Sequence, residues 1–154
     1  MQKLLFTITL LFAVSAAFGQ QLTRGEDGLF YDSDNNPYTG TYREYYDNGQ
    51  LQTRMELKEG LPEGEVFIYF SNGQINEIRS FENGQMHGNW YTWTEQGQKI
   101  AQAEYNMGEK HGKWFIWSEQ GVLLYDMSYD NGKRTGVWKM YDREGNLITE
   151  KNYE

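Results

Sequence analysis

From residue 40 onward, apolar and polar positions fall into a short, recurring rhythm. Gly64 to Phe70 is an apolar and aromatic run of strand length. Ser71-Asn72-Gly73 has turn composition, Gln74 to Phe81 is a second and more polar strand, and Glu82-Asn83-Gly84 leads into the next such unit. Each unit therefore reads as a β-hairpin. Asn-Gly pairs stand at Asn48-Gly49, Asn72-Gly73, Asn83-Gly84 and Asn131-Gly132, and they favour hairpin turns because both residues tolerate positive φ. A two-residue turn and a three-residue turn with a glycine bulge both fit the spacing, and they pair different residues. In the fourth unit, strand alternation puts Leu123, Tyr125, Met127 and Tyr129 on one side and Leu124, Asp126 and Ser128 on the other. The expectation is a sheet with one largely apolar face and one mostly polar face.

The rhythm is a repeat. Gly40, Gly64, Gly88, Gly112 and Gly136 are spaced 24 residues apart, as are Gly49, Gly73, Gly97, Gly121 and Gly145, and again Gly60, Gly84, Gly108 and Gly132. Three glycine series at one period mark a repeat architecture. Two residues after the first glycine come Tyr42, Val66, Trp90, Trp114 and Trp138; five after it come Tyr45, Tyr69, Trp93, Trp117 and Tyr141. Eleven after it come Leu51, Ile75, Lys99, Leu123 and Leu147, and seventeen after it Leu57, Phe81, Tyr105, Tyr129 and Tyr153. The first glycine of each unit sits at a strand start beside aromatics, where a missing side chain permits a bulge or lets a ring lie over the backbone. Short turns between all strands give an antiparallel meander. The fold class is therefore all-β: a single elongated, twisted antiparallel meander of about five tandem β-hairpins over residues 40–154. Residues 20–39 form an N-terminal segment with a degenerate half unit, Gly28 to Tyr38, that caps the array.

Residues 1–19 have a different character. Met1-Gln2-Lys3 is a basic head, Leu4 to Val14 an apolar run broken by Thr7 and Thr9, and Ser15 to Gly19 a stretch of mostly small residues. That order is a bacterial-type secretory signal peptide, and the apolar run is shorter than the roughly 20 residues of a permanent membrane span. Cleavage after Ala17 or Gly19 satisfies the small-residue rule, with Gly19 preferred. The expected location is exported, either periplasmic or secreted, with no integral membrane segment after cleavage. There is no cysteine, so export brings no disulfide framework. The formal charge is −8, and loss of Lys3 with the leader makes it one unit more negative, which disfavours nucleic acid and anionic membrane surfaces as partners.

Gly88-Asn89-Trp90-Tyr91-Thr92-Trp93 through Gly97, followed by Tyr105-Asn106-Met107-Gly108-Glu109-Lys110-His111-Gly112, resembles the bacterial MORN-type repeat in its second variant, as found in YwqK-like antitoxins. The resemblance covers about residues 26–154. It implies an elongated antiparallel sheet of hairpins and a role in protein interaction, and the antitoxin label implies neutralisation of a toxin partner. Lipid binding, linked to other MORN arrays, is not carried over to so acidic a chain.

Candidate chemistry is sparse. His87 and His111 occupy equivalent places before a repeat glycine, roughly 10 Å apart if two strands separate them, too far to share a metal. They are read as repeated strand-start residues. Asp32-Ser33-Asp34-Asn35-Asn36 lacks the glycine and terminal glutamate of a calcium loop and is read as a polar turn. Glu63, Glu65, Glu77 and Glu82 are dispersed acids, and a tight-turned meander offers no cleft for a carboxylate pair. No enzyme, cofactor or metal is expected. The candidate partner-binding residues are the recurring aromatics Tyr69, Trp90, Trp93, Trp114, Trp117, Trp138 and Tyr141. Trp and Tyr are typical anchors for a protein partner, and a glycan stacking on the rings is the alternative. Function is read as a non-catalytic interaction or scaffold module.

Overall fold

The computed structural model describes residues 22–154; the expected signal peptide lies outside the described residues. Thirteen strands run in chain order: β1 (Thr23–Arg24), β2 (Phe30–Tyr31), β3 (Gly40–Tyr45), β4 (Leu51–Lys58), β5 (Leu61–Tyr69), β6 (Ile75–Glu82), β7 (Gln85–Met86), β8 (Gly88–Trp93), β9 (Lys99–Asn106), β10 (Glu109–Trp117), β11 (Leu123–Asp130), β12 (Lys133–Tyr141) and β13 (Leu147–Tyr153). No helix occurs among the described residues. β3 to β13 form one antiparallel sheet in sequential order, with β7 and β8 acting as one strand interrupted at His87. β1 and β2 pair separately. The sheet is the meander that the glycine period predicts.

Both expected turns exist, and they alternate. At the second glycine series the loop has three residues. Phe70 N–H donates to Gln74 O, Gly73 N–H donates to Phe70 O, and the next pair is Tyr69 with Ile75. At the third series the turn has two residues: Glu82 pairs with Gln85 across Asn83 (φ 49°) and Gly84 (φ 75°). Positive φ at both central positions gives the turn a twist that matches the strands. The two-residue turns also hold on to one another. The amides of Gly60, Gly84, Gly108 and Gly132 donate to the carbonyls of Tyr38, Pro62, Met86 and Lys110 at 2.8–2.9 Å, each in the preceding unit. One long edge of the ribbon is thus a hydrogen-bonded ladder of turns.

The first glycine series makes bulges wherever a preceding strand pairs with it, from Gly64 onward. Glu56 pairs with Glu63 and Arg54 with Phe67, so Gly64, Glu65 and Val66 together oppose Met55. The same slip recurs at Gly112 and Gly136. On the other side each of these glycines pairs with a large residue: Gly64 with Phe81, Gly88 with Tyr105, Gly112 with Tyr129, Gly136 with Tyr153. With no side chain at the glycine, the facing ring has room over the strand.

Full burial is confined to one end. Met55, Leu57 and Val66 form the buried cluster, and Leu22, Phe30, Tyr38, Tyr42, Ile68 and Phe81 pack against it. Residues 22–39 sit on this end, with Phe30 N–H donating to Gly60 O at 2.9 Å and the Phe30 ring 5.9 Å from Tyr42. Beyond it the sheet is one layer thick, and its large side chains are half-buried or exposed.

Candidate functional site

Strand register assigns each recurring aromatic to a face. Trp90 lies opposite Ala103, which shares its side with Tyr105, whereas Tyr91 lies opposite Gln102 on the other side. The seven candidate aromatics therefore do not make one ladder. Trp90, Trp114 and Trp138 belong to one face, here the ladder face. Tyr69, Trp93, Trp117 and Tyr141 belong to the reverse face, where Trp93 packs against Tyr91 at 5.7 Å, Trp117 against Phe115 at 5.5 Å and Tyr69 against Phe67 at 6.5 Å.

On the ladder face the tryptophans interleave with the residues opposite the bulge glycines. Phe81, Trp90, Tyr105, Trp114, Tyr129, Trp138 and Tyr153 follow one another with centroids 4.9–5.5 Å apart and ring planes inclined by 48–64°. Such tilted contacts set the positive edge of one ring toward the negative face of the next. Each indole also donates across to the preceding strand. Trp90 Nε1–H reaches Ser80 O at 3.0 Å, Trp114 reaches Glu104 O at 3.0 Å and Trp138 reaches Ser128 O at 2.9 Å. A hydrogen bond at the bulge fixes the ring while its apolar body lies along the row. Burial among these rings pushes the Tyr105 phenol above its ordinary pKa, partly opposed by Arg79, and burial with the nearby Glu44 charge does the same at Tyr42.

Cations sit on the row. Arg79 lies 5.3 Å from the Trp90 centroid, Lys110 4.6 Å from Trp114 and 5.1 Å from Tyr129, and Arg134 4.8 Å from Trp138 and 5.4 Å from Tyr153. The sequence reading singled out the tryptophans and missed the partners between them. The signal was present: the series Phe81, Tyr105, Tyr129, Tyr153 has the same period as the tryptophans, and the register makes the two series neighbours.

The expected division into one apolar and one mostly polar face is corrected. Both faces carry rings, because alternation within each first strand puts Trp90 and Trp114 on one side and Tyr91, Trp93, Phe115 and Trp117 on the other, and each unit also contains a second slip. Between Ile116 and Trp117 the register shifts, pairing Ile116 with Tyr125 but Trp117 with Leu123. Leu123 is thereby carried to the Trp117 side, away from Tyr125, Met127 and Tyr129. Lys99, at the equivalent place, shows the result directly: its Nζ lies 5.5 Å from the Tyr91 ring and 5.0 Å from Trp117, both on the reverse face.

The polar candidates are dispersed by the same geometry. Glu63, Glu65 and Glu82 project from the reverse face, and Glu77 lies on the ladder face, paired with Arg79 at 2.7 Å. Asp32 Oδ1 accepts the amides of Asp34 and Asn36 at 3.0 and 2.9 Å, a turn held by its own carboxylate. His87 and His111 each keep a buried Nδ1 with no hydrogen bond. Their nearest carboxylates are Glu82, 3.4 Å from His87 Nε2, and Asp130, 3.6 Å from His111 Nδ1. No group of three or more His, Asp or Glu residues suited to a metal gathers among the described residues.

No curated protein matches the chain. A family model does match, the MORN repeat variant, at residues 38–59, 62–83, 110–131 and 134–154, together more than half of the chain. Each match starts two residues before a glycine of the first series, in phase with the period read from the sequence. The unit between the second and third matches folds like the others, with Trp90 in the place of Trp114. MORN repeats are non-enzymatic modules that serve in protein and membrane binding. A chain with four copies of this motif, laid out as one continuous sheet of hairpins, belongs to the MORN repeat family in its variant form.

Proposed function

We propose that this protein is an exported, non-catalytic interaction module whose partner is another protein. One observation carries the reading. A sheet a single layer thick holds rows of aromatic rings on both faces, and past the N-terminal cap no second layer covers either row among the described residues. Rings that are half-buried by their neighbours and held by hydrogen bonds lose little freedom on docking, which is what makes Trp and Tyr effective anchors. A ribbon of five hairpins also offers the roughly 800 Å² per partner that a specific interface needs. Export rests on the leader: Lys3, the Leu4–Val14 run and the small residues ending at Gly19.

The test places a photo-crosslinking residue at position 93 or 138, one on each face, in the full-length chain expressed in its own cells. A recurrent adduct with one protein, reproduced with the purified pair, supports the reading. Adducts no more abundant than from the turn position 120 overturn it, and adducts with polysaccharide alone replace it with the glycan alternative. Recovery of the adduct in the envelope or medium, with a mature chain starting at Gln20, is the outcome expected of the export reading; a cytoplasmic chain with Met1 intact refutes that half.

A further inference from the structure

The two faces differ in charge as well as in their rings. On β6 to β13 the ladder face carries four bases, Arg79, Lys110, Arg134 and Lys151, and one acid, Glu77, already taken by Arg79. The other acids of these strands, Glu82, Glu104, Glu109, Asp126, Asp130 and Glu150, fall on the reverse face by register. In a chain of net charge −8, one face is therefore basic.

Lys110, Arg134 and Lys151 are exposed, and no carboxylate lies within ion-pairing distance of them among the described residues. Ring faces hold them in place: Lys151 Nζ is 5.0 Å from the Tyr153 centroid, and Lys110 and Arg134 bridge consecutive rings. A ring quadrupole orients a cation without neutralising it, so each keeps donors free for an anion. Lys110 and Arg134 are equivalent residues of neighbouring hairpins, about 10 Å apart along the row.

Two hollows flank the row. One, about 250 Å³, is floored by Tyr125, Met127, Trp138, Met140 and Tyr153, with Lys151 at its rim. The other, about 540 Å³, lies over Met55, Val66, Ile68 and Phe81, with Arg24, Asp27 and the Glu77-paired Arg79 beside it. An apolar floor beside the unpaired Lys151, continuing along the row to Arg134 and Lys110, calls for an occupant with apolar side chains and carboxylates interleaved. Rings inclined by 48–64° and roofed by cations present no flat platform for a sugar.

We propose that the ladder face docks an extended acidic segment of a protein partner, laid along the aromatic row across the strands. Its carboxylates meet Lys110, Arg134 and Lys151, and its apolar side chains enter the hollows. An extended chain advances about 3.3 Å per residue, so acids roughly three residues apart match Lys110 and Arg134. This rests on the interaction reading and adds to it the face and the chemistry of the partner.

The experiment titrates the full mature chain with four probes: a synthetic peptide of alternating Glu and Leu/Phe blocks, the same peptide with Lys for Glu, polygalacturonate, and vesicles containing anionic lipid. Binding is read from tryptophan fluorescence and calorimetry at low and high salt. The acidic peptide is expected to bind, to weaken about tenfold or more in high salt, and to be lost with K110E/R134E/K151E. It is expected to survive R43E/K58E/K133E, an equal charge change on the reverse face. Unchanged circular dichroism and melting of both variants show that folding is intact. Equal binding of both peptides, no binding of the acidic one, preference for polygalacturonate or vesicles, or equal loss in both variants overturns the proposal. Protein adducts forming only from position 93 sink this proposal and leave the interaction reading standing; adducts from neither position sink that reading itself.

Discussion

Trp114 is where the aromatic row can be weighed. Its ring meets Tyr105 at 5.1 Å and Tyr129 at 5.3 Å, and its indole N–H is shared between Glu104 O at 3.0 Å and His111 O at 3.1 Å. Tilted aromatic pairs contribute about 0.5–1.5 kcal/mol each beyond their burial, and a net hydrogen bond about 1 kcal/mol. With the apolar area of a half-buried ring added, Trp114→Ala should cost about 3–4 kcal/mol, the low end for truncating a large aromatic. Trp114→Phe keeps the ring contacts and removes the donor, so it should cost about 1 kcal/mol. Trp117→Ala is the control on the reverse face. Its ring meets Phe115 at 5.5 Å and Lys99 at 5.0 Å, and its removal should cost about 1–2 kcal/mol. Urea unfolding followed by far-UV circular dichroism is the assay. With a slope of about 2 kcal/mol per molar urea, the midpoint should fall by roughly 1.5–2 M for Trp114→Ala and by about 0.5–1 M for Trp117→Ala. Equal falls for the two alanine variants, or a Trp114→Phe midpoint at the wild-type value, refute the claim that the interleaved row holds the C-terminal hairpins together. Repeat arrays are stabilised mainly between neighbours, so the loss should spread to the flanking units and broaden the transition.

Two further outcomes follow from the turns and the row. Gly108 (φ 87°) has open space where a Cβ would stand, whereas at Gly84 (φ 75°) the Cδ2 of Leu61 lies 2.7 Å from that point. Gly108→Ala should therefore cost only the left-handed backbone strain, about 1–2 kcal/mol, and Gly84→Ala visibly more; equal urea midpoints contradict the packing of Leu61 on that turn. The Tyr105 pKa, raised chiefly by burial, makes the folded state hold its proton more tightly than the unfolded chain. Its contribution is fully present below pH about 10 and is lost as pH rises through the folded pKa, so stability should decline in alkali. Tyr105→Phe should flatten that decline, and a denaturation series across pH 8–11 that leaves the slope unchanged refutes it.

What the sequence made legible, and what it hid, divide along a physical line. Turn positions were readable because backbone geometry limits their residues: Asn83-Gly84 and Asn131-Gly132 need positive φ at both sites, and few residue pairs adopt it. The period made the hairpins and their order unavoidable once those turns were placed. The faces were not readable, because alternation assigns a side only while the register is unbroken. Each unit breaks it twice. The bulge at Gly112 sets three residues against one and so keeps the strand's alternation, but the slip between Ile116 and Trp117 moves Leu123 to the other side of the sheet. A reader counting in twos from Tyr129 reaches Leu123 on the wrong face. The same slip carries Lys99 to the reverse face, whereas Lys110 lies opposite Tyr105 on the ladder face before the Gly112 bulge begins. The charge asymmetry of the sheet follows plain alternation, because a bulge of three residues against one keeps Lys110 in step with Trp114 and Arg134 in step with Trp138. Composition shows an acidic chain with scattered bases; only the register shows that Lys110, Arg134 and Lys151 share a side with the tryptophans and that the acids around them do not. A substitution that straightened the bulge at Gly136 should leave the hairpin topology standing and yet disturb the seat of Trp138, whose N–H bond to Ser128 O depends on that bulge.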